Sequence, residues 1–442
     1  MSERSMAAWL DGACDAPVAI DGEGRVITRA RWQDDVRRAA TALAGLASGT
    51  RVAIDEGEPY PFAVLLTALL WTGGEPVLFA GRGAWSEALE AVCDAVLTWR
   101  PQASHSKPVL VVSNEAEPVA PSQLTPPDAG RIIRLFTSGS SGTPKVVEKT
   151  VGLMCREAGI TASLFGERVR GTVLMSTVDP RHLYGLTFGI WFALSTGTPI
   201  MTNRCVYQEQ IPAGRPIALI TTPTFMRMLD TTLPVPDMRF VLSAGGPLDA
   251  VAASLMTGWT GCAVHEIYGS TETGVVASRV RVSPDATPDW TLISEARLDA
   301  VGDDRLLTSP LLPTGRVALD DRLEMTGPDT FRLLGRRDRV VKIGEVRLSL
   351  TEVERVVRAE LGLEIRALPV TSGTRTVIGA VVNEAESPCW IGTLPSRVAV
   401  TAALAGRLDP LARPRLWRSV AAWPCNAQGK VETQALLELF HG

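Results

Sequence analysis

Residues 137–145 read TSGSSGTPK, hydroxyls and glycines in turn-prone order closed by a lysine. A turn of this kind leaving a strand can wrap backbone N–H groups around phosphate oxygens, while hydroxyls add donors and the lysine adds charge. Thr137, Ser138, Gly139, Ser140, Ser141, Gly142, Thr143 and Lys145 are therefore candidate phosphate ligands. A Walker A loop would end in Gly-Lys-Ser/Thr, and this one ends in Thr-Pro-Lys-Val. It is not GxGxxG either, and Ser140 and Ser141 lack the GxSxG setting of a hydrolase nucleophile. Taken alone, the stretch reads equally well as a plain polar connection.

A second chemical signal is the choice of cation. Of 44 basic residues only five are lysine: Lys107, Lys145, Lys149, Lys342 and Lys430. Arginine fills nearly every ordinary surface role. The remaining lysines mark places where a compact ammonium is needed and a planar guanidinium does not fit, or else they survive by chance.

The glycine loop needs a strand to leave from, and RIIRLF (131–136) supplies one. Upstream, the pattern Trp32–Leu46 reads as a helix, RVAIDEG as a strand, PFAVLLTALLWTGG as a buried helix closed by glycines, and EPVLFA as a strand. Downstream, TVLMST, IALITT and RFVLSAG read as buried strands, GLTFGIWFALSTG and PTFMRMLD as helices. Strand alternating with helix predicts an α/β protein built on a mostly parallel sheet. Residues 114–130 are Pro-rich and polar, a surface loop. Near residue 335 the character changes to strand, charged turn, strand and helix. There Ser349 with Glu352 fits a capping box, and Val353, Val356, Val357 and Leu361 repeat at helical spacing. The boundary is placed at Gly335–Asp338.

Bulk properties narrow the function. A chain of 442 residues implies two or three domains. The net charge of −4 gives no electrostatic pull toward nucleic acid or an anionic membrane. The start lacks the apolar core of a signal peptide, and the most apolar run, Phe62–Trp71, is too short to span a bilayer. Seven dispersed cysteines without CxxC argue for reduced thiols and a cytoplasmic protein. The four histidines show no HExxH spacing, so a protein-built zinc site is not expected.

Three further stretches stand in order with the glycine loop: EIYGSTETG (266–274), LLGRRDRVVKIGEVRLSLTEVE (333–354) and PCNAQGKVET (424–433). Together the four closely resemble the motifs of the adenylate-forming superfamily. That superfamily comprises acyl- and aryl-CoA synthetases, adenylation domains of peptide synthetases and luciferases, and the resemblance covers about residues 130–440. It implies a large amino-terminal domain (1–335) with mixed β-sheets flanked by helices. A small mobile α+β lid (336–442) follows, hinged at Asp338.

The reaction implied is attack of a carboxylate on the α-phosphorus of ATP, then transfer of the acyl group to a phosphopantetheine thiol, on CoA or an acyl carrier protein. On this resemblance Lys145 and the loop cradle the β- and γ-phosphates, and Glu272 holds Mg²⁺. Thr271 bonds an AMP oxygen, and Tyr268, followed by Gly269 and Ser270, stacks on adenine. Asp321, with Asp320 as the alternative, binds the ribose, although the usual Thr-Gly-Asp turn is missing. Arg336 adds a second ribose or phosphate contact. Lys430 reaches both the substrate carboxylate and the α-phosphate. PRHLYGLTFG (180–189) resembles the entry to the acyl pocket, gated by His182 and Tyr184. SAGGPL, with Gly245, Gly246 and Pro247, resembles the pocket floor. One departure concerns the thiol step. Gly344 stands one place ahead of the glycine expected at Glu345, in the loop that lines the pantetheine tunnel. The compact length, HLYGL and NAQGK resemble aryl or fatty acid ligases of lipid and pigment pathways. The competing readings are a nucleotide-binding regulator that keeps the fold without turnover, and a luciferase-like oxidase.

Overall fold

The computed structural model describes the chain except residues 1–5, 80–86, 101–105, 139–143, 283–287, 302–303, 337–338, 344–345, 373–374, 388, 391, 394–395, 426–430 and 441–442. By compactness it divides into two units. The first comprises Met1–Asp299 with Leu307–Val317, the second Ala300–Leu306 with Ala318–Gly442. The hairpin 321–336 thus groups with the carboxy-terminal residues, whereas the sequence reading puts the boundary at its far end.

The first unit contains two sheets. In the larger, strands run in the order 290–292, 274–281, 264–270, 238–243, 217–221, 173–176, 200–201, 17–20 and 26–28. The central members are parallel, and antiparallel hairpins close both ends. The smaller sheet has the order 109–111, 95–98, 51–54, 75–78, 132–138 and 144–150, parallel except for the last pair. Both sheets are mixed and mostly parallel, as expected, with parallel strands where helices cross over and antiparallel ones where short turns connect.

Helix Pro59–Trp71 shows why its sequence has no polar face. Every residue except Pro61 is buried. It touches strands Arg51–Ile54 and Glu75–Leu78 of the smaller sheet, and strand Ile200–Met201 and helix Gly185–Phe192 of the larger one. A helix apolar all round is one packed on all sides. Tyr60 N donates to Thr202 O at 3.3 Å, adding a backbone tie between the two sheets. PTFMRMLD, expected as a full helix, makes little more than one turn, Pro223–Arg227. Asp230 ends the segment by accepting hydrogen bonds from Thr232 N and Oγ1, a side-chain turn that competes with helix continuation.

In the second unit, strands Asp321–Met325 and Thr330–Arg336 form a hairpin, as do Val340–Ile343 and Val346–Ser349. Ser349 caps helix Leu350–Leu361 by accepting from Glu352 N, and Val353, Val356 and Val357 are buried as their spacing requires. Strands Ile365–Ser372, Arg375–Asn383 and Leu416–Val420 form a further sheet. All seven cysteines are free thiols. Among the described residues no helix is long and apolar enough to cross a membrane, and no three His, Cys, Asp or Glu cluster as metal ligands.

His265 is a core residue. Its ring lies 5.6 Å from that of Phe165 and 4.9 Å from that of Phe240. Burial, helped by the charge of Arg168, lowers its pKa from 6.5 to about 4. The unfolded chain therefore takes up this proton first as pH falls. The contribution of a neutral His265 is complete above pH 6.5 and is lost progressively toward pH 4. Replacement His265→Phe is expected to reduce the acid dependence of unfolding free energy over that window by about 3 kcal/mol. Urea titrations of both proteins at several pH values measure it.

Candidate active site

The glycine loop stands in sequence between two paired strands. Strands Ile132–Ser138 and Pro144–Thr150 pair antiparallel with Thr137 opposite Lys145 and Ser138 opposite Pro144. Gly139, Ser140, Ser141, Gly142 and Thr143 lie outside the described residues, as do the side chains of Thr137 and Ser138. Alternate residues of a strand point the same way, so Lys145 and Lys149 share one face. Lys145 Nζ stands 3.3 Å from Glu272 Oε1, and Lys149 Nζ donates to the Glu272 carbonyl oxygen at 3.1 Å. Residues 127 and 123 positions apart in the chain thus meet at one turn.

That turn joins strands Val264–Ser270 and Gly274–Arg281 and carries Thr271 and Glu272 at its tip. It is closed by side chains: Ser270 N donates to Thr273 Oγ1 at 2.9 Å and Thr273 N to Ser270 Oγ at 3.2 Å. Gly269 has no freedom to be anything larger, because a Cβ there would lie 2.1 Å from Gly274 O. Burial by itself raises the pKa of Glu272. The residue's own N–H, Lys145 and Ser270 more than reverse this, leaving the carboxyl below its ordinary value and anionic at neutral pH. Tyr268, two residues before the turn, sets its ring 5.8 Å from that of Trp290 at 54°.

The parallel strands point their carboxyl ends to the same side, where α/β proteins bind ligands. Register places Thr221 beside Ser243 and Ser243 beside Glu266. Gly245, Gly246 and Pro247 leave the strand Met238–Ser243 exposed, and Gly245 adopts φ +86°, a left-handed conformation that favours glycine. Tyr184 does not stand free as a gate. Its hydroxyl lies 3.1 Å from Thr221 O and 2.9 Å from Leu242 O, sharing its proton between two neighbouring strands. His182 is half-buried, its N–H donating to Asp179 O at 3.1 Å. Beside it Arg181 grips both oxygens of Asp179 and reaches Asp55 at 3.3 Å, an ion network at the carboxyl ends of strands from both sheets.

In the second unit Asp321 pairs directly with Arg336 across their hairpin, so the two expected ribose contacts stand opposite one another; Asp320 is one residue outside the strand and exposed. The Arg336 side chain, Asp338 and Lys430 lie outside the described residues. The segment holding Lys430 is bracketed by an antiparallel bridge between Cys425 and Val431.

Sequence reasoning missed Lys149 and Glu157. Glu157, 3% exposed, accepts from Val275 N at 2.8 Å and Thr187 Oγ1 at 3.3 Å. Burial pushes its carboxyl pKa up and that of the Lys149 ammonium down, each effect opposed by the other's charge. The available signal was the even spacing of Lys145 and Lys149 in a chain with few lysines.

The family model for AMP-binding enzymes matches residues 6–302. The chain belongs to that family. This AMP-binding chain is 30% identical over 298 residues to a 4-coumarate–CoA ligase of Rhodobacter capsulatus, covering 66% of its own length and 73% of the relative. ATP-bound MatB from Rhodopseudomonas palustris matches it with a TM-score of 0.81 at 18% identity, over 98% of both chains. A benzoate CoA ligase from Burkholderia xenovorans LB400 matches at 0.76 and 20% identity, over 98% of this chain and 99% of the other. The fold is that of the adenylate-forming superfamily, as the four motifs implied.

Removal of the pinning hydroxyl by Tyr184→Phe takes away the donor shared by the Leu242 and Thr221 carbonyls, the second of which still accepts from Ala244 N at 3.4 Å. It is expected to lower unfolding free energy by about 1–3 kcal/mol, read by denaturant unfolding.

Proposed function

We propose that the protein is an ATP-dependent carboxylic acid ligase that forms an acyl- or aryl-adenylate and then a thioester. The observation carrying this reading is the contact of Lys145 with Glu272 at the root of the glycine hairpin, a cation and a carboxylate placed together for a polyphosphate. In the first half-reaction a substrate carboxylate oxygen attacks the α-phosphorus, the bond to the β-phosphate oxygen breaks, and pyrophosphate leaves. Both reactants are anions, so the protein must hold them together and offset crowded negative charge. Lys145 and the hairpin N–H groups grip the departing phosphates. Thr271 holds an AMP oxygen and Tyr268 faces adenine.

Glu272 fits a magnesium site. It is anionic and partly open to solvent, and Mg²⁺ takes one or two protein carboxylates and completes its shell with phosphate oxygens and water. When bound, the metal neutralises phosphate charge. Asp321 and Arg336 are assigned to the ribose. Lys430 is assigned the ammonium that contacts carboxylate and α-phosphate, with Asp338 as hinge. His182, Gly245, Gly246 and Pro247 border the acyl site, and Tyr184 holds its rim. In the second half-reaction the thiolate sulfur of CoA or a phosphopantetheinyl carrier protein attacks the acyl carbon and AMP leaves. The coumarate and benzoate ligases among its likenesses favour an aromatic acid, with fatty acids as the second class.

The test is pyrophosphate release or hydroxamate trapping with a panel of cinnamic, benzoic and fatty acids, followed by separate addition of CoA and of a phosphopantetheinylated carrier protein. Turnover is expected with an aromatic acid. Turnover with none would favour a nucleotide-binding regulator on the same fold. Lys430→Ala is expected to abolish adenylation without changing the thermal transition, and normal adenylation by that variant would overturn its assignment.

A further inference from the structure

Beneath the Thr271–Glu272 turn lie two buried ionisable side chains, Lys149 and Glu157, each bonded to the backbone of the hairpin that carries the turn. Lys149 is 2% exposed and Glu157 is 3% exposed, an unusual depth for either residue type unless something is held there. They come from successive elements. Lys149 ends the hairpin strand Pro144–Thr150, and Glu157 lies on the second turn of helix Val151–Phe165, which Thr150 starts by accepting from Leu153 N. Lys149 Nζ takes the Glu272 carbonyl and Glu157 Oε1 takes the Val275 N–H, so the pair holds the chain from the tip of the turn to the start of the strand that leaves it. Gly274 lies between, at φ +68°, and a Cβ there would come within 2.8 Å of Glu157 Oε1. The second carboxylate oxygen accepts from Thr187, on the helix Gly185–Phe192 that follows the expected pocket entrance.

Resting on the function proposed above, we propose that Lys149 and Glu157 are positioning residues. They fix the backbone of the Thr271–Glu272 turn for magnesium and nucleotide and tie that turn to the helix beside the acyl site through Thr187. The hairpin strand then presents two lysines to one turn with different tasks. Lys145, at the solvent end, meets the Glu272 carboxylate. Lys149, at the buried end, holds the peptide behind it. A carboxylate that must serve a metal is useful only if its main chain is fixed, and outer partners of this kind commonly change metal affinity or activity 10- to 100-fold when lost.

The test uses full-length Lys149→Met, Glu157→Gln and the milder Thr187→Val. Steady-state pyrophosphate formation is measured against ATP and Mg²⁺, and Mg·ATP binding by calorimetry without any acid. Lys149→Met and Glu157→Gln are expected to raise the KM for ATP and the Mg²⁺ half-saturation at least threefold and to lower kcat about tenfold. Thr187→Val should shift them less in the same direction. The double variant should be no worse than the poorer single one, as expected of residues acting together. A lowered melting temperature with unchanged KM, Mg²⁺ half-saturation and Mg·ATP affinity would overturn the proposal, as would fully additive losses. If the parent protein binds Mg·ATP but turns over no acid, the ligase reading fails, and the calorimetric affinities of the variants still decide this one. Absence of Mg·ATP binding in the parent would overturn both.

Discussion

The contact between Lys145 and Glu272 sets the terms for the amino-terminal unit. One partner sits on the last strand of the smaller sheet and the other on a turn of the larger one. An exposed ion pair of this length contributes little to stability. Its importance is geometric, since it forms only if the two sheets share one scaffold and both loops emerge on the same side. The helix Pro59–Trp71 between the sheets, the Arg181–Asp179–Asp55 network at their strand ends and the grip of Lys149 and Glu157 all serve that condition.

Charge is distributed by depth around this point. At the surface Lys145 and Glu272 are open to solvent. Just below, Lys149 and Glu157 are enclosed, the one bonded to the Glu272 carbonyl and the other to the Val275 N–H, where a buried ionisable group that loses its partner is costly. Glu266 repeats the pattern further along the same strand, paired with Arg279 at 2.8 Å and Arg281 at 3.2 Å and almost wholly buried. The strand bearing Tyr268 is thus fixed by ion pairs on one side of its chemistry and by glycine packing on the other.

Much of this was legible in the sequence because it is local. Strand ends announced themselves by apolar runs followed by glycine or hydroxyl residues, as at RFVLSAG. Ser349 caps its helix where the sequence places the cap. The failures share a cause. Glu157 looks like any polar residue on a helix, and only the approach of Val275, 118 positions away, shows why it is buried. The bonds of the Tyr184 hydroxyl to the carbonyls of Thr221 and Leu242, 37 and 58 positions away, are likewise invisible in the local sequence. PTFMRMLD has helical composition, yet Asp230 offers its side chain to the backbone and stops the helix. Composition reports what a residue is able to do, and partners distant in the chain decide which of those things it does.

The helix Pro59–Trp71 has a consequence for how the chain acquires this structure. With twelve of its thirteen residues out of water, it has no face to present to solvent while it waits for a partner. Its burial is shared between two sheets whose strands come from widely separated stretches. Neither sheet has a finished core until the helix is in place, and the helix has no finished surroundings until both sheets are. The helix therefore couples the two sheets of the amino-terminal unit to one another. A nascent chain that has released only the first sheet carries an exposed apolar cylinder, the kind of surface that chaperones bind and that aggregation exploits.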